Sequence, residues 1–138
     1  MPKLRFGVFD ELKGARTLLL WGDDSGIAAL QAVFRELADG ARGTTALHET
    51  GWAEGVRGTR LLLDLAQAKS DQAVKVTKAD NGADVTWNGT REEFISYADL
   101  IASLLDHSSR SGHQYLDSNR NFTLQIMVSR GEYPDNFR

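Results

Sequence analysis

The chain has 138 residues, of which 41% are hydrophobic and 25% charged, with 16 Lys and Arg against 19 Asp and Glu for a formal charge of -3. That length suits a single domain, residues 1 to 138, with a real core, and the composition is that of a globular protein and not of a disordered chain. Cysteine is absent, which excludes disulfides, zinc-thiolate centres and thiol catalysis and suits a reducing compartment, the cytoplasm; the scattered basic residues argue against a nucleic-acid partner.

Met1 to Phe6 hold no apolar stretch of signal-peptide length, and Leu18-Leu19-Leu20-Trp21 is too short to span a bilayer, so no membrane association is expected. Leu4, Phe6 and Val8 alternate with Arg5 and Gly7, which predicts a strand over residues 3 to 9 with one buried face. A second strand is expected at Thr17 to Trp21, joined to the first by a turn at Lys13-Gly14. Its consecutive leucines imply burial on both faces and a place inside the sheet. Gly22-Asp23-Asp24-Ser25 supplies N-cap side chains, and Ile27, Leu30, Phe34 and Leu37 follow at helical spacing until Gly40.

From Gly40 to Gly58 the chain is glycine-rich and reads as an irregular edge or loop, with a short strand near Thr44 to Glu49. Leu61, Leu63 and Leu65 alternate with Arg60 and Asp64 as a strand does. Asn81-Gly82 is a hairpin dipeptide that tolerates positive φ. Counting outward from it pairs Lys78 with Val85, Thr77 with Thr86 and Val76 with Trp87, and puts Val74, Val76, Val85 and Trp87 on one face. Thr90 and Glu93 fit a capping box that opens a second helix with the stripe Phe94, Tyr97, Ala98, Ile101, Leu104 and Leu105. A final strand runs through the alternating segment Phe122 to Ser129. The fold class implied is α+β: a two-layer sandwich of a mostly antiparallel sheet with two helices on one face.

Chemistry is concentrated in few places. In His113-Gln114-Tyr115-Leu116-Asp117, a strand would put His113, Tyr115 and Asp117 on one face, where an imidazole, a phenol and a carboxylate could act as acid and base. Asp23 and Asp24, at a strand-to-helix junction, read chiefly as helix caps; two carboxylates alone are too few ligands for a hard cation. Three separated histidines assign no metal, and no cofactor is implied. Arg5, Arg60, Asp64, Lys75, Thr77, Asp84, Thr86, Thr123 and Gln125 form an expected wet sheet face, which suits solvent or a protein partner. Trp52, in the glycine-rich segment, is of a type enriched at interface hot spots.

Residues 112 to 133, from His113-Gln114-Tyr115-Leu116-Asp117 through the alternating strand to Glu132-Tyr133, resemble small bacterial proteins classed as immunity proteins of polymorphic toxin systems. The resemblance implies a cytoplasmic antidote that binds one toxin domain and catalyses nothing itself. His113, Tyr115, Asp117, Asp23, Asp24 and Trp52 are the candidate binding residues, and no residue is assigned as catalytic. If the toxin were a basic nuclease, Asp23, Asp24, Asp80, Asp84, Glu132 and Asp135 could complement its charge. Two alternatives stand beside this reading: a small enzyme using His113, Tyr115 and Asp117, and a domain that self-associates through a sheet edge.

Overall fold

The computed structural model describes residues 3–12, 15–67, 74–79, 82–106, 112–116, 124–134 and 137. Strands β1 (Leu4–Leu12) and β2 (Ala15–Gly22) precede helix α1 (Asp24–Ala38). β3 (Thr44–Ala46), β4 (Ala53–Gly55), β5 (Arg60–Leu65), β6 (Val74–Ala79) and β7 (Gly82–Gly89) follow, then α2 (Arg91–Leu104), β8 (Gly112–Tyr115) and β9 (Gln125–Arg130). Short 3-10 turns at Leu47–Glu49 and Val56–Gly58 flank β4. The glycine-rich segment thus contributes two three-residue strands as well as turns.

The molecule is an α+β sandwich. Its strands divide between a five-stranded sheet, in the order β4-β1-β2-β9-β8, and a four-stranded sheet, β3-β5-β7-β6. Antiparallel pairs (β1/β2, β3/β5, β6/β7, β8/β9) outnumber parallel ones (β1/β4, β2/β9, β5/β7), so both sheets are mixed. Alternation within a strand reports which face is buried and not which neighbour it will find, so the grouping into two sheets is a tertiary result.

One core joins everything. Leu4, Phe6, Leu18, Leu20, Ile126 and Val128 of the larger sheet meet Leu61, Leu63, Val85 and Trp87 of the smaller one and the apolar stripes of both helices. At its centre Phe34 of α1 lies 5.5 Å from Trp87 and 5.7 Å from Phe94 of α2, with Tyr97 packed 5.2 Å from Trp87. Aromatic pairs at these separations stabilise beyond the area they bury. The helices are tied by a buried bond from Gln31 Nε2 to Ala98 O of 2.9 Å.

Both helices begin where the side chains dictate. Asp23 Oδ1 accepts the Gly26 N–H at 2.7 Å. Thr90 and Glu93 form a reciprocal capping box, with the Thr90 N–H donating to Glu93 Oε1 at 2.9 Å and the Glu93 N–H to Thr90 Oγ1 at 3.2 Å. Within the described residues neither helix is long and apolar enough to cross a membrane.

The β6/β7 hairpin differs from the expected register. Ala79 pairs with Gly82, Thr77 with Asp84, Val76 with Val85 and Val74 with Trp87, a slip of two residues. Because side chains alternate with a period of two, the slip leaves every face assignment unchanged, and Val85 and Trp87 are buried as expected. Gly82 also has a reason that a turn dipeptide does not reveal. Its φ is 145°, and a Cβ there would stand 2.3 Å from Arg57 O, so only glycine admits the neighbouring 3-10 turn.

The central strand pair of the larger sheet is apolar on both sides. β2 lies between β1 and β9, as its consecutive leucines implied. On the face away from the helices Leu19, Trp21 and Met127 are buried as a second cluster, packed by Phe9, Leu12, Val56, Tyr133 and Phe137. The expectation of one oily and one wet face therefore fails for this sheet. The C-terminal segment covers the side that was to be solvated.

Candidate functional site

β8 pairs antiparallel with β9, His113 opposite Ser129 and Tyr115 opposite Met127. Strand alternation then turns His113 and Tyr115 to the outer face and sends Gln114 toward α2, where its Nε2 donates to Ser103 Oγ at 2.8 Å. After β9 the chain reverses at Gly131, whose φ is 75°. The reversal lays Glu132 back over the two strands, and His113 Nδ1 is 3.0 Å from both carboxylate oxygens. An ionised carboxylate only accepts, so Nδ1 carries the hydrogen of this bond. Ser129 Oγ donates to Glu132 Oε1 at 2.7 Å, with Gly112 O 3.3 Å away.

Sequence spacing named Asp117 as the carboxylate for His113, and Asp117 lies outside the described residues. Among the described residues a carboxylate that reaches the imidazole is Glu132, brought there where the chain turns back at Gly131. The His113 and Tyr115 rings meet edge to face at 5.3 Å. Burial pushes the Tyr133 phenol above the usual tyrosine range, with Glu132 and Tyr115 adding to the shift. Chemically, the carboxylate orients the histidine as in a catalytic dyad. The hydroxyl, however, is fully buried and gives its hydrogen to that same carboxylate, so the order is hydroxyl, carboxylate, imidazole and not nucleophile, base, orienter.

Asp23, Asp24 and Trp52 gather elsewhere, around the start of α1. Asp23 and Trp52 line a cleft of about 500 Å3 with Lys3, Arg5 and Glu54. Asp23, Asp24 and Arg130 line an adjoining one of about 380 Å3. Each of the three also supports the fold itself. Asp23 caps α1, Asp24 stands 3.3 Å from the buried Arg130 guanidinium, and the Trp52 carbonyl accepts the Leu4 N–H at 3.0 Å. Sequence reasoning missed Arg130. The signal was its place in β9, where it follows Ile126 and Val128 on the helix-facing side.

The expected wet face survives on the smaller sheet alone. Its register sets three rows: Arg60, Asp84 and Thr77; Ala46, Leu62, Thr86 and Lys75; and Thr44, Asp64 and Asn88. Arg60 grips Asp84 through two bonds of 2.7 Å, and Thr44 Oγ1 donates to Asp64 Oδ1 at 2.8 Å. The bond from Arg60 holds the Asp84 carboxyl below the usual carboxylate range. Arg60, Lys75 and Thr77 are exposed, while Leu62 at the centre is half-buried. Arg5 and Gln125 belong to the other sheet, where Arg5 pairs with Glu54 at 2.9 Å; Thr123 lies outside the described residues.

Of the six proposed charge-mimicking carboxylates, the four among the described residues do not form a free acidic patch. Asp24 is engaged by Arg130, Asp84 by Arg60, Glu132 by His113 and Ser129, and Asp23 by the helix start. Asp80 and Asp135 lie outside the described residues, as does His107. His48 Nδ1 takes the Leu61 N–H at 3.1 Å. Among the described residues no three His, Asp or Glu side chains converge as metal ligands. The comparisons with protein-family models, curated proteins and solved structures yield no match, so any functional reading rests on this geometry and on the residues themselves.

Proposed function

We propose that the chain is a non-catalytic protein-binding domain, an immunity protein that seats its cognate toxin domain on the outer face of the four-stranded sheet. The observation that carries this reading is the anatomy of that face. Half-buried Leu62 has Arg60 and Asp64 on either side along β5 and Thr86 opposite it on β7, with Asp84 and Lys75 farther out on the same face, all held in register by the β3/β5/β7/β6 ladder. A small apolar centre with a polar rim on a rigid support is how stable protein interfaces are built. The resemblance of residues 112 to 133 to immunity proteins supplies the partner class. In the fold that stretch includes β8, β9 and the reversal that joins His113, Ser129 and Glu132.

The second reading, an acid-base enzyme, draws on the His113–Glu132 pair. It is the weaker one because, among the described residues, the clefts of about 580 and 500 Å3 are lined by other residues and because Glu132 is shared with a buried hydroxyl. The test is co-purification with the product of a toxin gene beside this one. A stoichiometric complex is expected, and Leu62→Arg should abolish it while leaving the melting temperature near wild type. A complex indifferent to Leu62→Arg would move the docking surface elsewhere. Failure to bind any neighbouring gene product would remove the immunity reading.

A further inference from the structure

We propose that Gly131 to Pro134, together with Phe137, form a strap that opens from the outer face of the larger sheet while the rest of the fold stays intact, with Glu132 as its latch. The strap crosses four strands. Glu132 reaches His113 of β8 and Ser129 of β9, the Pro134 carbonyl accepts the Trp21 indole N–H of β2 at 2.9 Å, and Phe137 lies 5.1 Å from Phe9 of β1. Phe137 also meets Trp21 edge to face at 6.0 Å and packs 4.7 Å from Tyr133.

Its attachment differs in kind from that of the strands. β9 is held along its length by ladders to β2 and β8. The strap joins no ladder; within the described residues its bond between two main-chain groups, Phe137 N–H to Pro134 O at 3.0 Å, is internal, and the Pro134 carbonyl otherwise meets a side chain, the Trp21 indole. A segment fixed by side chains and exposed at Glu132 and Pro134 belongs to the low-stability end of a structure, whereas a central ladder opens only with the whole. Gly131, at φ 75°, is the single residue between the two regimes and serves as the hinge.

Beneath the strap lie Leu19, Trp21 and Met127, each at most 1% exposed. Opening therefore converts a sealed surface into an apolar one flanked by Phe9 and Val56. The latch is polar: the Glu132 carboxylate accepts from both His113 and Ser129.

Trp21 reports both regimes at once, through an indole N–H bonded to the strap and a main-chain N–H in the β1/β2/β9 sheet. Hydrogen exchange of the full chain by NMR tests the proposal. The Trp21 indole should exchange faster than the β2 and β9 amides, and Glu132→Gln should speed it about tenfold further, the loss of roughly one charge-assisted hydrogen bond, leaving those amides unchanged. Ser129→Ala, which removes the other side of the latch, should act the same way more weakly and stands in if the first variant does not fold. An indole that exchanges only with the ladder amides, and shifts with them in either variant, would make the strap part of one cooperative unit and overturn the proposal.

Discussion

On the outer face of the five-stranded sheet Leu19, Trp21 and Met127 are sealed beneath Tyr133 and Phe137, whereas the outer face of the four-stranded sheet carries Arg60, Lys75 and Thr77 in the open with Leu62 at its centre. The helices cover the inner side of both, so the difference lies in the strands. β2 and β9 occupy the middle of the larger sheet and are apolar on two sides, which forces the chain to supply a second cover. β5 and β7 occupy the middle of the smaller one, yet fully bury residues on one side alone, with Arg60–Asp84 and Thr44–Asp64 bonds finishing the outer rows. One face is closed by burial and the other is left polar, which is why the first is read as structural and the proposed recognition surface is put on the second.

Truncation gives the largest contrast. Trp21→Ala removes a fully buried indole from a site packed by Phe9 and Phe137, and should cost about 3–5 kcal/mol by denaturant unfolding. Leu62→Ala removes a half-buried side chain from the open face and should cost roughly 1 kcal/mol or less. Equal costs would mean that both faces are structural and would undo the comparison.

A base titration probes the sealed face more gently. The Tyr133 phenol titrates higher in the folded chain than in the unfolded one, chiefly through burial. Its contribution is therefore complete below the ordinary tyrosine range and is lost as pH rises through the folded value. Stability should fall in that alkaline window more steeply in wild type than in Tyr133→Phe, with the two alike at neutral pH. Parallel curves would show that Tyr133 is not held against the sheet.

Much of this architecture was legible in the residues. The Thr90/Glu93 capping box, the Asp23 cap, the stripes of both helices and the interior place of β2 follow from local chemistry that tertiary structure had no reason to override. What local chemistry could not supply is pairing. The parallel β2/β9 and β5/β7 contacts join segments far apart in the chain, and nothing in the alternation of Leu61 and Leu63 distinguishes a neighbour in one sheet from a neighbour in another. The strap was hidden for a related reason. Tyr133, Pro134 and Phe137 follow the last alternating strand with no periodicity of their own, and their partners, Trp21 and Phe9, lie at the other end of the chain. Of the candidate site, His113 was named but Glu132 was not named beside it, because only the reversal at Gly131 brings that carboxylate within 3.0 Å.

The smallest expected effect is on the open face, and its smallness is informative. Asp84 titrates lower in the folded chain than in the unfolded one because of its bond to Arg60. What it contributes is present above the ordinary Asp range and is lost as pH falls through the folded value. The pair is solvent-exposed and screened, so an acid titration of wild type against Asp84→Asn should show only a slight excess loss in wild type, shrinking further as salt is added. A pair that matters this little to folding is free to be used in steering. If the face receives a charged partner, Asp84→Asn should change the association rate and its salt dependence while the dissociation rate stays near wild type; a large stability loss instead would place Arg60 and Asp84 among the groups that hold the sheet together.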